Sequence, residues 1–264
     1  MTMENFVFKK KFGQNFIYDG NLLSAIVSDA KITPQTEVLE IGPGEGTLTK
    51  KLCGAAKRVV AYEIDKQLQA PLGALQSEFS NLEVVFEDAL KAPIEEIEKN
   101  FGGDYVVVAN LPYYITSPLI FKFLASRASS LTVMVQKEVA QRFLAKPNSK
   151  DYGIPTVMIN YQADVEYLRT VGRKMFTPPP NVDSALIRIV KDPAKPKAKD
   201  EKFFASLVKT AFGARRKTLV NNLLALNIPK EKILSALNKC SITPSSRAEQ
   251  LSVLDFISLS DQLN

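Results

Sequence analysis

The chain has 264 residues, 45% hydrophobic and 23% charged, which is the composition of an ordinary globular protein. That length suits one large domain plus a small one. Histidine is absent and cysteine occurs twice, at Cys53 and Cys240, which excludes Ser-His triads and histidine-ligated metals and argues against a disulfide framework.

No apolar run approaches the roughly 18 residues of a membrane span. The opening Met1-Thr2-Met3-Glu4-Asn5 lacks the apolar core of a signal peptide, so the cytoplasm is the expected compartment. The formal charge is +6, and from Lys191 to Lys217 nine basic residues stand against three acidic ones. That one segment accounts for the whole excess. A basic patch suits a polyanion partner, with a solvated linker as the alternative.

In chain order, Phe8-Lys9-Lys10-Lys11-Phe12-Gly13-Gln14-Asn15-Phe16-Ile17 is too apolar for a free tail and is expected to pack down. A helix is predicted over Asn21–Ala30 and a strand over Glu37–Ile41. Then comes Glu40-Ile41-Gly42-Pro43-Gly44-Glu45-Gly46-Thr47, which opens a helix predicted over Thr47–Ala56. Glycine at every second position lets the backbone approach a ligand closely or take positive φ. A dinucleotide fingerprint would place a third glycine where Thr47 stands. The acidic Glu40 beside the turn suits a cationic ligand better than a pyrophosphate. On this stretch alone a methyl-donor site, a dinucleotide site and a plain structural turn all remain open.

The next predicted strand, Arg58–Glu63, ends in an acid that can accept both ribose hydroxyls of a nucleoside. A helix over Lys66–Phe79 leads to a strand over Leu82–Phe86. Asp88 follows it, either reading an adenine amine or capping a helix. After a helix over Pro93–Asn100, the strand Asp104–Ala109 runs straight into Asn110-Leu111-Pro112-Tyr113-Tyr114. A purine exocyclic amine is a poor nucleophile because its lone pair is delocalised into the ring. The Asn110 side-chain oxygen and the Leu111 carbonyl can accept from that NH₂ and turn the lone pair outward. Pro112 constrains the turn, and Tyr113 offers a stacking face.

A helix over Pro118–Ser126 and a strand over Leu131–Gln136 continue the alternation. Pro155–Tyr161 and Ala185–Val190 read as the last two strands of a seven-stranded, mostly parallel sheet with helices between the strands. Residues 191–200 form a basic Pro/Lys linker. Helices are predicted beyond it over Phe203–Phe212, Arg216–Leu226, Lys230–Asn238 and Val253–Gln262. The expected organisation is a catalytic domain over 1–190 and a helical, RNA-gripping domain over 201–264. A purely structural helical cap is the alternative for the latter.

Asn-Leu-Pro-Tyr, Glu-Ile-Gly-Pro-Gly-Glu-Gly and Gly-Gln-Asn-Phe together resemble the ribosomal RNA adenine N6,N6-dimethyltransferases. So do Val135–Arg142, the run Phe176-Thr177-Pro178-Pro179-Pro180-Asn181-Val182-Asp183-Ser184, and Arg216-Lys217-Thr218-Leu219. The last two favour the KsgA/RsmA branch, which modifies 16S rRNA, over the erythromycin-resistance branch, which shares the core motifs. Ile17 stands where the family usually has Leu. The resemblance implies a class I methyltransferase, Rossmann-like α/β fold with a small all-α C-terminal domain. It implies S-adenosyl-L-methionine as cofactor, no metal, a monomer, and the small-subunit rRNA as partner. It further implies cofactor contacts from Asn15, Ile17, Gly42, Glu63, Asp88 and Asn110. The catalytic pocket would be built from Asn110, Leu111, Pro112 and Tyr113, with Phe176 as a second stacking wall or a core anchor. A non-catalytic assembly factor on the same fold is the rival from another class.

Overall fold

Runs such as Val106-Val107-Val108 make central strands because β-branched side chains pack well on a sheet buried on both faces. The structure is a computed structural model that describes residues 15–110 and 112–264. It opens with β1 (Phe16–Ile17), α1 (Gly20–Asp29), β2 (Glu37–Ile41), α2 (Thr47–Cys53) and β3 (Arg58–Tyr62). There follow α3 (Gln69–Glu78), β4 (Leu82–Val85), α4 (Ile94–Glu98), β5 (Val106–Asn110), α5 (Thr116–Leu124) and β6 (Ser130–Gln136). Next are α6 (Lys137–Phe143), α7 (Ile154–Asn160), β7 (Ala163–Val171), β8 (Phe176–Thr177) and β9 (Ser184–Lys191). The chain closes with α8 (Glu201–Ala211), α9 (Leu219–Leu223), α10 (Lys230–Lys239) and α11 (Val253–Leu263).

Seven strands form one sheet in the order β4-β3-β2-β5-β6-β9-β7. β2 to β6 pair in parallel, while β9 runs antiparallel to β6 with Met134 opposite Leu186. Val38, Val59, Val108 and Met134 pack with Leu22, Ile26, Leu48 and Leu52 of α1 and α2. The alternate positions Leu39, Val60, Val107 and Val133 are equally buried. Each such side chain contributes about 1.5–3 kcal/mol by leaving water. The chain order reverses between β2 and β5, with β3 and β4 to one side and β6 to the other. In open α/β sheets that reversal, at the carboxyl ends of the strands, is where ligands bind.

A second, two-stranded pairing joins β1 to β8 in antiparallel register, with Ile17 opposite Phe176. It ties the chain's Phe16–Ile17 segment to the proline-rich run. The chain divides into two compact units, one holding residues through Ala140 with Glu166–Lys191, the other Gln141–Val165 with Asp192–Asn264. The second unit has its own core, centred on Phe204, Leu207, Leu223, Ile233 and Phe256. Three of its helices, α8, α9 and α11, start at side-chain caps: Asp200 accepts from Phe203 N, Thr218 from Asn221 N and Ser252 from Asp255 N.

Two expectations are corrected. Pro155–Tyr161 is not a strand but lies almost wholly in α7, where Pro155 occupies the first turn and Thr156 Oγ1 accepts from Gly153 N at 3.2 Å. The strand that completes the sheet is β7, an edge strand. The helix expected from Arg216 starts instead at Leu219, so Arg215, Arg216 and Lys217 lie in the turn before it. The basic Pro/Lys segment after β9 is pinned at several points. Asp192 N donates to Gln162 O, Lys195 pairs with Asp164 at 2.7 Å, and Ala198 N donates to the Tyr161 hydroxyl.

Candidate active site

The glycine turn follows β2 and takes positive φ at all three glycines, +71° at Gly42, +61° at Gly44 and +84° at Gly46. At Gly44 the requirement is also steric, because an added Cβ would lie 2.5 Å from the Phe16 ring. The turn is held from the neighbouring strand. Glu63, just past β3, accepts from Gly44 N at 3.2 Å with one carboxylate oxygen and from Asp65 N at 2.8 Å with the other. Burial pushes the Glu63 carboxyl upward, opposed by these backbone N–H groups. Each oxygen retains a lone pair, so both can still accept from a vicinal diol.

Glu40, on β2, is 1% exposed, and its Oε2 has no hydrogen-bond partner. Burial raises its carboxyl to about 8; the Glu63 charge adds to this, and the Thr49 hydroxyl opposes it without reaching hydrogen-bond geometry. An orphaned buried acid beside a second acid is costly unless a cation or donor faces it.

At the end of β5, Asn110 Nδ2 donates to the Asn15 carbonyl at 2.7 Å. The bend after it is stapled by Ile115 N at 3.1 Å and Thr116 Oγ1 at 3.2 Å, both donating to Pro112 O. Tyr113 points its hydroxyl to Ser184 Oγ at 2.7 Å, and burial raises its phenol. After β4, Asp88 Oδ1 accepts from Leu90 N at 3.0 Å. That loop is gathered by Lys122 of α5, whose ammonium donates to the carbonyls of Ala89 at 2.7 Å, Leu90 at 3.1 Å and Ala92.

The glycine turn, Glu40, Glu63, the Asp88 loop and Asn110 border one cavity of about 220 Å³. Of the residues singled out in the sequence, Asn15, Ile17, Gly42, Glu63, Asp88, Asn110 and Pro112 line it. Tyr113 and Phe176 do not. Phe176 is 3% exposed and packs among Ile17, Leu22 and Leu186. Here it is the core anchor, and a ring so enclosed offers no open stacking wall; the pairing of β1 with β8 is what buries it. Leu111, and the Phe8–Gln14 part of the opening motif, lie outside the described residues. Ile64 and Tyr114, also in the lining and 45% and 61% exposed, were not singled out from sequence. Among the described residues, no acidic or cysteine cluster could hold a metal ion and no helix is long and apolar enough to cross a membrane.

The lining combines a diol acceptor, an orphaned acid, an apolar wall at Ile64 and a carboxamide at the carboxyl end of a strand. A family model described as ribosomal RNA adenine dimethylase matches residues 5–264. This chain belongs to the ribosomal RNA adenine dimethylase family. A ribosomal RNA small subunit methyltransferase A from Geobacillus sp. (strain WCH70) is 45% identical over 269 residues, covering 98% of this chain and 92% of that relative. One of the same name from Geobacillus thermodenitrificans is 46% identical with the same coverage. Among solved structures, a dimethyladenosine transferase from Plasmodium falciparum aligns with TM-score 0.80 at 30% identity, over 92% of this chain and 95% of that one. The 23S rRNA methyltransferase ErmE aligns with TM-score 0.73 at 29% identity, over 94% and 99%.

Membership resolves what the glycine run left open, in favour of a methyl donor. The dimethylase uses S-adenosylmethionine, and the residues present fit it. The acceptors Glu40, Glu63 and Asp88 and the apolar side chain of Ile64, all on the cavity, are of the kind that its cationic end, ribose diol and adenine require.

Proposed function

We propose that this dimethylase methylates N6 of two adjacent adenosines in a hairpin loop near the 3′ end of 16S rRNA, twice each. It would act as a cytoplasmic monomer with a part in small-subunit maturation. Relatives bearing the small-subunit name are 45% and 46% identical, against 29% for the large-subunit enzyme ErmE. That difference supports the small-subunit target. The single observation behind the chemistry is the placement of Asn110 at the carboxyl end of β5, on the cavity that Gly42 and Glu63 also line.

S-adenosylmethionine, when bound, supplies an electrophilic methyl on a sulfonium sulfur. The chain's own residues do the rest. Glu63 holds the ribose hydroxyls, and Asp88 accepts from the cofactor's adenine amine with its outer oxygen. Gly42 leaves room for the methionine portion, with Asn15 and Ile17 closing that side. The target adenosine is flipped out of the loop's base stack into the bend. Asn110 Oδ1 and the Leu111 carbonyl then accept from its amine and turn the nitrogen lone pair toward the methyl. Tyr113, anchored at its hydroxyl by Ser184, braces the bend for the base. Proton loss from N6 accompanies methyl transfer, so no strong base is needed beforehand, in keeping with a chain that has no histidine. Proximity and placed acceptors are the main sources of rate.

The test is a transfer assay with methyl-labelled donor on unmethylated small subunits and, separately, large subunits, followed by mapping of the modified bases. Dimethyladenosine confined to adjacent positions in the small-subunit rRNA is the expected result. Label appearing in the large-subunit rRNA would overturn the target assignment.

A further inference from the structure

The opening strand β1 and the residue before it serve as more than a wall of the cofactor cavity. We propose that the Asn15 main-chain carbonyl is a positioning element for catalysis. It fixes the Asn110 carboxamide so that its oxygen, and not its nitrogen, faces the target amine. This deepens the Asn110 role given above and rests on it.

The contact is a 2.7 Å hydrogen bond from Asn110 Nδ2 to Asn15 O, across 95 residues of sequence. A carboxamide has one donor end and one acceptor end, and a carbonyl can only accept. Turning the Asn110 group by half a rotation would set two oxygens 2.7 Å apart, which is repulsive. The other end, Oδ1, carries no hydrogen bond to any described residue and is left as the acceptor at the cavity. An exocyclic amine needs that end, because it offers protons.

The carbonyl is itself held in place by the segment that carries it. Thr47 Oγ1 donates to Ile17 O at 2.9 Å, Tyr18 donates to Glu45 at 3.0 Å, and β1 pairs with β8. Two of those ties run to the glycine turn and its helix, so the strap is registered against the cofactor's own cradle. Acceptor orientation is thereby linked to the position of the methyl donor.

The arrangement calls for a residue at the end of β5 that has one donor end and one acceptor end, as an amide does. An ionised Asp at 110 would still offer an acceptor to the amine, but its other oxygen would face the Asn15 carbonyl with no proton between them. The acids on the same cavity are Glu40, Glu63, Glu87 and Asp88; of the cations near them, Lys91 is an exposed side chain 3.8 Å from Asp88, and Lys122 has its ammonium spent on the carbonyls of the 89–92 loop. In that setting the introduced carboxyl titrates above its ordinary range. Once protonated, it donates to Asn15 and accepts from the amine, as the carboxamide does.

Asn110→Asp and Asn110→Ala are compared with wild type in single-turnover transfer from pH 6 to 8.5, with cofactor binding and melting temperature measured in parallel. The expected result is Asn110→Ala inactive throughout. Asn110→Asp should fall at least roughly 100-fold below wild type at pH 8, with its ratio to wild type rising steadily toward pH 6. An Asp variant near wild type at pH 8, or one whose ratio stays flat with pH, overturns the role of Asn15 while leaving the Asn110 acceptor intact. An active Asn110→Ala would instead remove the underlying reading. Should the Asp variant not fold, solvent exchange of the Asn110 carboxamide protons in wild type decides the matter. Protection of one of them is expected, and exchange as fast as an exposed Asn side chain refutes the contact.

Discussion

Glu63→Gln probes the cradle at its most connected residue. In wild type each carboxylate oxygen accepts a backbone N–H, from Gly44 at 3.2 Å and from Asp65 at 2.8 Å. Glutamine keeps one oxygen and turns an NH₂ toward the other N–H, so one charge-assisted bond is lost and a buried donor is left unpaired. Such a bond is worth about 1.5–3 kcal/mol. Removing the charge that burial disfavours returns part of this, which places the net loss near 2 kcal/mol. For a domain of this size that is a fall of about 4–8 °C in melting temperature. The same change removes one acceptor for the ribose diol and should weaken S-adenosylmethionine binding about 10- to 100-fold. Differential scanning calorimetry without cofactor and isothermal titration with it read the two effects separately. Unchanged melting would refute the turn-holding role, and unchanged affinity would refute the ribose role.

Three further outcomes are expected. The Glu40 carboxyl is raised in the folded chain to about 8, above its unfolded value of about 4.3, so its contribution is fully present at acid pH and is lost as pH rises between those values. Glu40→Gln should therefore match wild type in melting temperature near pH 4.5 and exceed it at pH 8.5, while binding the cationic cofactor more weakly; a pH-independent difference in melting would contradict this. Lys122→Met should loosen the 89–92 loop and raise the Kd for S-adenosylmethionine several-fold with little effect on single-turnover rate at saturating cofactor, and a loss confined to rate would contradict it. Neutralising Arg215, Arg216 and Lys217 should lower the salt slope of rRNA binding by about 2, since Arg215 already donates to the Lys150 carbonyl; an unchanged slope would put the RNA surface elsewhere.

The parallel core was legible because its signal is redundant. Val106–Asn110 and Glu37–Ile41 are apolar runs ending in polar turns, and such runs between helical patterns have few other homes. The Ile154–Asn160 run was ambiguous, because seven mostly apolar residues satisfy either period. Pro155, two residues after the N-cap Gly153, is the sign of a helix start. The β1–β8 pairing could not be read at all, since two-residue strands carry no periodicity. That pairing is what separates a core anchor from a stacking wall at Phe176, and the sequence alone leaves both open. In the site, the acids, the glycines and Asn110 were legible because their chemistry is specific. Ile64 and Tyr114 were not, since an apolar side chain becomes a ligand wall only when the fold leaves it facing a cavity.

The central claim is that the donor in the glycine cradle aims its methyl at an adenine nitrogen held by Asn110. A crystal structure with S-adenosylmethionine and an adenosine-containing fragment tests it most directly. The account predicts the adenine amino nitrogen within hydrogen-bond reach of Asn110 Oδ1 and about 3–3.5 Å from the transferable carbon. A donor seated away from the bend after β5, with no room for a purine between them, would contradict it.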